Sequence, residues 1–181
     1  MKFDISGKNL TTLEGIVFPD GITELYCSNN SLTSLEYCPS SVRYMNCSHN
    51  LLTSLEHCPS SVIELYCHNN SLTSLQYCPN SIIELNCSYN SLKSLEHCPN
   101  AVTYMNCCDN LLTSLQYCPK SVTTLLCHNN SLTSLQYCSN SVTYLYSSHN
   151  SLTSLQYCPN SVILLDCSHN SLTSYNIVQV L

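Results

Sequence analysis

The sequence has few charged residues, and most of them are acidic. Asp, Glu, Lys and Arg make up 9% of the 181 residues, with five basic residues against eleven acidic ones. A protein that binds nucleic acid needs clustered Lys and Arg to neutralise the phosphates. The composition therefore predicts that nucleic acid is not a partner.

Long apolar runs are absent as well. The first ten residues, MKFDISGKNL, have Asp4 where a secretory signal would be apolar, and no later stretch is long enough to span a membrane. We therefore expect no membrane contact and no export. A chain that stays in the cytoplasm meets reducing conditions, so we expect its cysteines to be free thiols.

Glycine is scarce, and all three glycines lie in residues 1–21. The apolar positions of this segment are irregularly spaced, at Phe3, Ile5, Leu10 and Leu13. The segment thus differs in chemistry and in spacing from the rest of the chain. We interpret residues 1–21 as an N-terminal cap.

Beyond the cap, a unit of twenty residues repeats without a shift in register, as in LLTSLEHCPSSVIELYCHNN at 51–70. A period of this length is typical of a solenoid of stacked units. We predict a single domain at 1–181, with regular repeats at 22–170 and a partial repeat at 171–181.

Within a unit, a short alternating run is followed by extended chain. Val42, Met45 and Cys47 are the inward residues of one such run, which is typical of a strand. Twenty residues leave no room for a helix, and the proline column favours an extended or polyproline-like return. The pattern predicts a β-rich solenoid with a parallel sheet on one side.

The unit resembles the leucine-rich repeat, L-x-x-L-x-L-x-x-N/C-x-L, which Val42-x-x-Met45-x-Cys47-x-x-Asn50-x-Leu52 matches position by position. Its length and its N-x-L-T-S-L-x-x-C-P-x-S-V sequence are similar to the repeats of the bacterial YopM and IpaH effectors. This resemblance implies a right-handed superhelix with a concave parallel sheet and an extended convex side. Only eleven residues follow Asn170, so we expect no ligase domain of the IpaH kind.

Repeats this rich in Cys and Asn also resemble those of large DNA viruses of amoebae. Together the resemblances imply a non-enzymatic protein-interaction module without a cofactor, whose partner is a protein of a host cell. For an effector or a viral protein, the expected compartment is the host cytoplasm.

The fifteen cysteines form two columns and one remainder. In related repeats both columns hold Leu or Val, so the resemblance suggests that they point inward, where a free cysteine packs as a small apolar residue. Cysteines of one column lie on neighbouring strands, which are about 4.8 Å apart. A disulfide needs Cβ atoms about 3.8 Å apart, so disulfides within a column are unfavourable. No C-x-x-C pair suggests zinc. The columns are Cys27, Cys47, Cys67, Cys87, Cys107, Cys127 and Cys167, and Cys38, Cys58, Cys78, Cys98, Cys118, Cys138 and Cys158.

An asparagine column and one irregular unit complete the scaffold. The asparagines recur every twenty residues from Asn30 to Asn170, and we expect their amides to bridge backbone groups where the chain turns. In one unit Ser139 replaces the proline and Ser147 replaces the core cysteine. We expect this unit to be the weakest of the array.

A binding site must use the variable residues beside the inward strand positions. They are rich in Tyr and Asn, which paratopes use for rigid contact area and adaptable hydrogen bonds. The other interpretation is that the tyrosines only stack across strands and stiffen the sheet. The candidate partner-binding residues on the concave face are Glu24, Tyr26, Tyr44, Glu64, Tyr66, His68, Tyr104, Tyr144, Tyr146 and Asp166.

Two further hypotheses concern the remaining cysteine and the chain end. Cys108 lies outside both columns and should be exposed, near Asp109, His128 and His149. These residue types could form a thiol dyad or hold zinc, although ordinary variation between repeats explains them too. The apolar chain end suggests that two copies pair as a homodimer. The residues of that end are Ile177, Val178, Val180 and Leu181.

Overall fold

The computed structural model of the chain describes residues 1–173. Within these residues, nine short strands form one sheet in chain order, and every neighbouring pair is parallel. The strands are β1 Lys2–Asp4, β2 Glu24–Tyr26, β3 Tyr44–Asn46, β4 Glu64–Tyr66, β5 Glu84–Asn86, β6 Tyr104–Asn106, β7 Thr124–Leu126, β8 Tyr144–Tyr146 and β9 Leu164–Asp166.

The register of the sheet follows the sequence period. Leu25 pairs with Met45, and Met45 pairs with Leu65, so each regular unit makes one turn. The first turn is longer, because Phe3 pairs with Leu25. Residues 1–173 contain no helix, so this part of the chain has none that could cross a membrane. The predicted β-solenoid with a parallel sheet is confirmed.

The core runs through the stacked turns as the sequence predicts. Val42, Met45, Cys47, Leu52 and Leu55 are all 0% exposed. The first cysteine column is fully buried as far as Cys127. The second is less enclosed, since Cys38, Cys58 and Cys158 are only half-buried. Inward packing is therefore confirmed for the first column and more loosely for the second.

The thiols of the first column also make weak hydrogen bonds. Cys67 Sγ lies 3.4 Å from the carbonyl oxygen of Asn86, and Cys107 Sγ lies 3.4 Å from that of Leu126. Each acceptor belongs to the next strand. The thiol thus fills the core and adds a weak contact between turns.

The asparagine column bridges the turns as expected. Asn50 Oδ1 accepts a hydrogen bond from the backbone N–H of Leu32 at 2.9 Å. Its Nδ2 donates to the carbonyl oxygens of Cys27 at 3.0 Å and Cys47 at 3.1 Å. Backbone groups that lack a partner in the sheet are satisfied in this way.

A serine column makes a second set of bridges, which the sequence analysis did not anticipate. Ser61 Oγ donates to the carbonyl oxygen of Val42 at 2.6 Å, and Ser81 Oγ donates to that of Val62 at 2.6 Å. These serines follow the proline turn. Their hydroxyls join successive turns shortly before the strands begin.

Candidate functional site

The outward side chains of the strands form one surface, here called the sheet face. It comprises the first and third residues of each strand, since the middle residue points into the core. Of the ten residues expected to bind a partner, nine lie on this face. The tenth, His68, lies two residues beyond the end of β4 and is half-buried.

Three tyrosines from successive strands stack on the sheet face. The ring centroids of Tyr26 and Tyr44 are 4.9 Å apart, and those of Tyr44 and Tyr66 are 5.3 Å apart. Lys2 adds its Nζ atom 4.0 Å from the Tyr26 ring, within range of a cation–π contact. The three tyrosines are here called the tyrosine stack. They make a partly exposed aromatic surface across β2, β3 and β4.

Hydrogen bonds and partial burial hold the hydroxyl end of the stack. The Tyr66 hydroxyl donates to a carboxylate oxygen of Glu84 on β5. Partial burial and this bond raise the pKa of Tyr66 well above its usual value. Partial burial, followed by the hydrogen bond with Tyr26, raises the pKa of Tyr44 to about 12. The phenols of Tyr44 and Tyr66 therefore stay neutral at physiological pH.

An open groove borders the stack where the strands begin. It has a volume of about 340 Å³ and is lined by Thr23, Glu24, Arg43, Tyr44, Ile63 and Glu64. Its charges are two carboxylates and one guanidinium. Such an open, mixed lining suits a side chain of a protein partner better than an enclosed small molecule.

The tyrosine stack does not continue to the other end of the sheet face. Tyr104, Tyr144 and Tyr146 lie on the face but are not part of the tyrosine stack, and Tyr144 is 44% exposed. Asp166 accepts hydrogen bonds from the backbone and hydroxyl of Ser168, which lower its pKa. The face is therefore uneven along its length.

The expected exposure of Cys108 is wrong, because this side chain is only 3% exposed. It lies two residues beyond the end of β6, where its thiol donates to Asn106 Oδ1. Serines at the same position of other units do likewise, as Ser48 donates to Asn46 Oδ1 at 2.7 Å. A small side chain at this position is therefore covered by the residue two places earlier.

The structure does bring Cys108 close to two of its expected partners. Ligand atoms of Cys108, Asp109 and His128 all lie within 4.8 Å of one another, and these residues are here called the thiol cluster. His149 is not among them, since it stacks on His169 with ring centroids 4.2 Å apart. Burial, followed by the charge of Asp109, raises the pKa of the Cys108 thiol to about 11. A neutral thiol of this kind is a poor nucleophile.

The column cysteines are equally unsuited to nucleophilic chemistry. Burial raises the pKa of Cys27 to about 12 and places that of Cys67 well above its usual value. Thiols in such surroundings stay protonated and inert. Their place is in the core.

Residues in the left-handed region recur twice in most units, and the sequence analysis missed them. Tyr77 has a φ of 70° in a turn that Cys78 N–H closes on the carbonyl of Leu75 at 2.9 Å. Positive φ at this place identifies a type II turn, which usually holds Gly. Gly15 takes the corresponding place in the first unit at 75°. That glycine was the signal that could have revealed the turn.

The four residues expected to mediate self-association, Ile177, Val178, Val180 and Leu181, lie outside the described residues. Their role stays a prediction.

The repeats and the sheet together define the class of this protein, a leucine-rich repeat solenoid. YopM from Yersinia enterocolitica is 30% identical with a TM-score of 0.78, over 88% of this chain and 36% of YopM. The functional domain of InlJ from Listeria monocytogenes, which includes a cysteine ladder, is 28% identical with a TM-score of 0.80, over 97% and 41%. A Shigella effector LRR domain is 25% identical with a TM-score of 0.59, over 96% and 71%.

These likenesses support a repeat of the effector type and a protein-interaction module. The chain spans well under half the length of the first two proteins, at 36% and 41%. No protein-family model matches the sequence, and no curated protein matches it.

Proposed function

We propose that this chain binds a protein partner through its sheet face, with the tyrosine stack at the centre of the contact. The observation that carries the proposal is the chain of ring contacts from Tyr26 through Tyr44 to Tyr66. Protein interfaces are enriched in tyrosine at their energetic centres. Rings held in advance by stacking lose little conformational freedom on binding.

The chemistry around the stack favours a protein over other partners. Among the charged side chains around the stack and its groove, the carboxylates of Glu24, Glu64 and Glu84 outnumber the cations of Lys2 and Arg43. Such a surface repels phosphates and suits a neutral or weakly basic protein patch. The effector-type neighbours from Yersinia and Shigella are consistent with a partner from a host cell.

The same geometry favours binding over catalysis. The sheet face is open, and the raised thiol pKa values remove the cysteines as ready nucleophiles. We infer a non-enzymatic module that works in a reducing compartment, the cytoplasm of a host cell.

The test is affinity capture from an amoebal lysate, the host that the viral resemblance implies. The native chain is compared with a triple variant, Tyr26→Asn, Tyr44→Thr and Tyr66→Asn. Each new residue occurs in the same column of another unit, as Asn46, Thr124 and Asn86. The fold should therefore survive, and we expect a protein that the native chain retains and the variant loses.

A control variant removes three tyrosines elsewhere, Tyr77→Asn, Tyr117→Asn and Tyr137→Asn. These residues lie in turns, are 50–56% exposed and take no part in the sheet face. The control should capture the same protein as the native chain. Equal capture by the stack variant, or no capture by any chain, contradicts the proposal and favours tyrosines that only stiffen the sheet.

A further inference from the structure

The thiol cluster offers three kinds of metal ligand at one place. Cys108 supplies a sulfur, Asp109 a carboxylate oxygen and His128 an imidazole nitrogen, all within 4.8 Å of one another. The cluster joins two consecutive turns, because Cys108 and Asp109 follow β6 and His128 follows β7. It lies beyond the strand ends and is separate from the tyrosine stack.

A second observation concerns one buried atom. Asp109 Oδ2 is buried, and it has no hydrogen-bond partner in the part of the chain that the structure describes. His128 Nε2 approaches it at 4.0 Å, too far for a hydrogen bond. A buried carboxylate oxygen without a partner is costly, and a cation bound between the two groups would satisfy it.

The carboxylate is already oriented by its other oxygen. Asn129 Nδ2 donates a hydrogen bond to Asp109 Oδ1 at 3.0 Å. Oxygen Oδ2 is thereby turned towards the imidazole and the thiol. Outer hydrogen bonds of this kind fix the direction of metal ligands in established sites.

We propose that Cys108, Asp109 and His128 bind one Zn²⁺ ion, with water completing a four-coordinate site. Zinc accepts sulfur, nitrogen and oxygen ligands together, whereas calcium and magnesium prefer oxygen alone. Zinc bonds of about 2.0–2.3 Å place tetrahedral ligand atoms roughly 3.5 Å apart. The side chains must therefore close by about an ångström, and Cys108 must release its proton and its bond to Asn106.

The bound ion would tie one turn of the solenoid to the next. A ligand that binds only the folded state stabilises it in proportion to its affinity. The site would thus act on stability and leave the sheet face free for a partner. Because the two proposals rest on different residues, either can fail without the other.

The repeat supplies matched substitutions for the test. Ser occupies the column of Cys108 in five other units, and Asn occupies that of Asp109 in three, at Asn29, Asn69 and Asn129. The positive φ of 53° at Asp109 suits Asn equally well. Cys108→Ser, Asp109→Asn and His128→Ser should therefore fold like the native chain.

The experiment titrates the reduced, metal-free full chain with Zn²⁺ against a chromophoric chelator, and with Co²⁺ as a spectroscopic probe. We expect one equivalent bound, a thiolate-to-cobalt charge-transfer band, and a higher thermal midpoint with Zn²⁺. Each of the three variants should weaken Zn²⁺ binding by more than about tenfold. Removal of an outer group that only orients a ligand already weakens metal binding by about tenfold or more, and removal of a ligand itself should cost more. Cys108→Ser should also lose the charge-transfer band.

Two controls separate this site from the other thiols and histidines. His68→Ser makes the same change in the same column as His128→Ser, and Cys58→Ser removes a half-buried thiol of the second column. Both should bind Zn²⁺ as the native chain does. No stoichiometric binding, an affinity that Cys108→Ser leaves unchanged, or an equal loss in Cys58→Ser overturns the proposal.

Discussion

Asn110 Oδ1 accepts a hydrogen bond from the backbone N–H of Leu92, eighteen residues earlier, at 2.9 Å. Its Nδ2 donates to the carbonyl oxygens of Cys87 and Cys107 at 3.1 and 3.2 Å. The Cys107 carbonyl also accepts from Asn130 at 3.1 Å. Consecutive asparagines thus share acceptors, and the column forms one connected network through the solenoid.

We predict that Asn110→Ala lowers the free energy of unfolding by about 3 kcal/mol. The carbonyl of Cys107 keeps a partner, but the buried N–H of Leu92 loses its own, which costs about 1–3 kcal/mol before the void is counted. Urea unfolding under reducing conditions measures the change. The exposed Asn80→Ala should change it by less than about 0.5 kcal/mol, and equal effects at both sites would contradict the network.

We predict that Ser147→Cys stabilises the irregular unit by about 1 kcal/mol, roughly the value of one buried methylene group. Ser147 donates both its N–H and its hydroxyl to the carbonyl of Asp166, at 2.7 and 3.2 Å, so the hydroxyl adds little. A thiol would fill more of the core. Urea unfolding and amide exchange around β8 measure the gain.

The reverse change in the preceding unit, Cys127→Ser, should cost a similar amount, since Cys127 is 0% exposed. Amide exchange in residues 131–150 as slow as in the units on either side would refute the expectation that this unit is the weakest. Ser139 stands where other units have proline. Its hydroxyl donates a hydrogen bond to the carbonyl of Lys120 at 2.7 Å, so the substitution does not leave this hydroxyl unpaired.

We predict that Tyr77→Gly is more stable than Tyr77→Ala by about 1 kcal/mol. At a φ of 70° a Cβ atom is strained, and relief of that strain is worth about 1–2 kcal/mol, more than the entropy that Gly loses. Urea unfolding of both variants tests the order. Gln76 in the same turn serves as the control, because its φ is not positive. There Gln76→Ala should be more stable than Gln76→Gly. If the Gly variant were the more stable one at both positions, or the Ala variant at both, strain at Tyr77 would be contradicted.

We predict that His68 makes the fold less stable in mild acid. Burial, and then the nearby His49, lower the pKa of folded His68 below its ordinary value of 6.5. The unfolded chain therefore binds more protons below that pH, and stability falls as the pH drops from 6.5 through the folded pKa.

The variant His68→Ser should lose this part of the pH dependence. Ser occupies the same column in five other units, which makes it a conservative choice. Urea unfolding at about pH 7.5 and about pH 5 measures the difference, since histidine titrates in this range. Parallel stability curves for the two chains would show that His68 contributes nothing.

The apolar chain end yields a prediction about assembly. If Ile177, Val178, Val180 and Leu181 pair two copies, the molar mass of the full chain should rise with concentration. A chain ending at Asn176 should remain monomeric over the same range. Light scattering after size exclusion measures both, and equal masses at every concentration would remove self-association through this end.

Much of the fold could be predicted from the sequence because a strict period leaves few alternatives. Twenty residues with inward positions at Met45, Cys47 and Leu52 can bury their apolar side chains only by stacking like on like. Stacking brings each strand beside its copy one unit later, which makes the sheet parallel. The inward cysteines and the bridging asparagines follow from the same repetition.

The candidate sites depended on the tertiary structure. The period assigns a residue to a column, but its rotamer and neighbours come from strands about twenty residues away. Thus the diagonal contacts of Tyr44 with Tyr26 and Tyr66, and the burial of Cys108 beneath Asn106, appear only in the folded chain. Repetition determined which residues face the core, and packing between particular side chains decided which of the others meet.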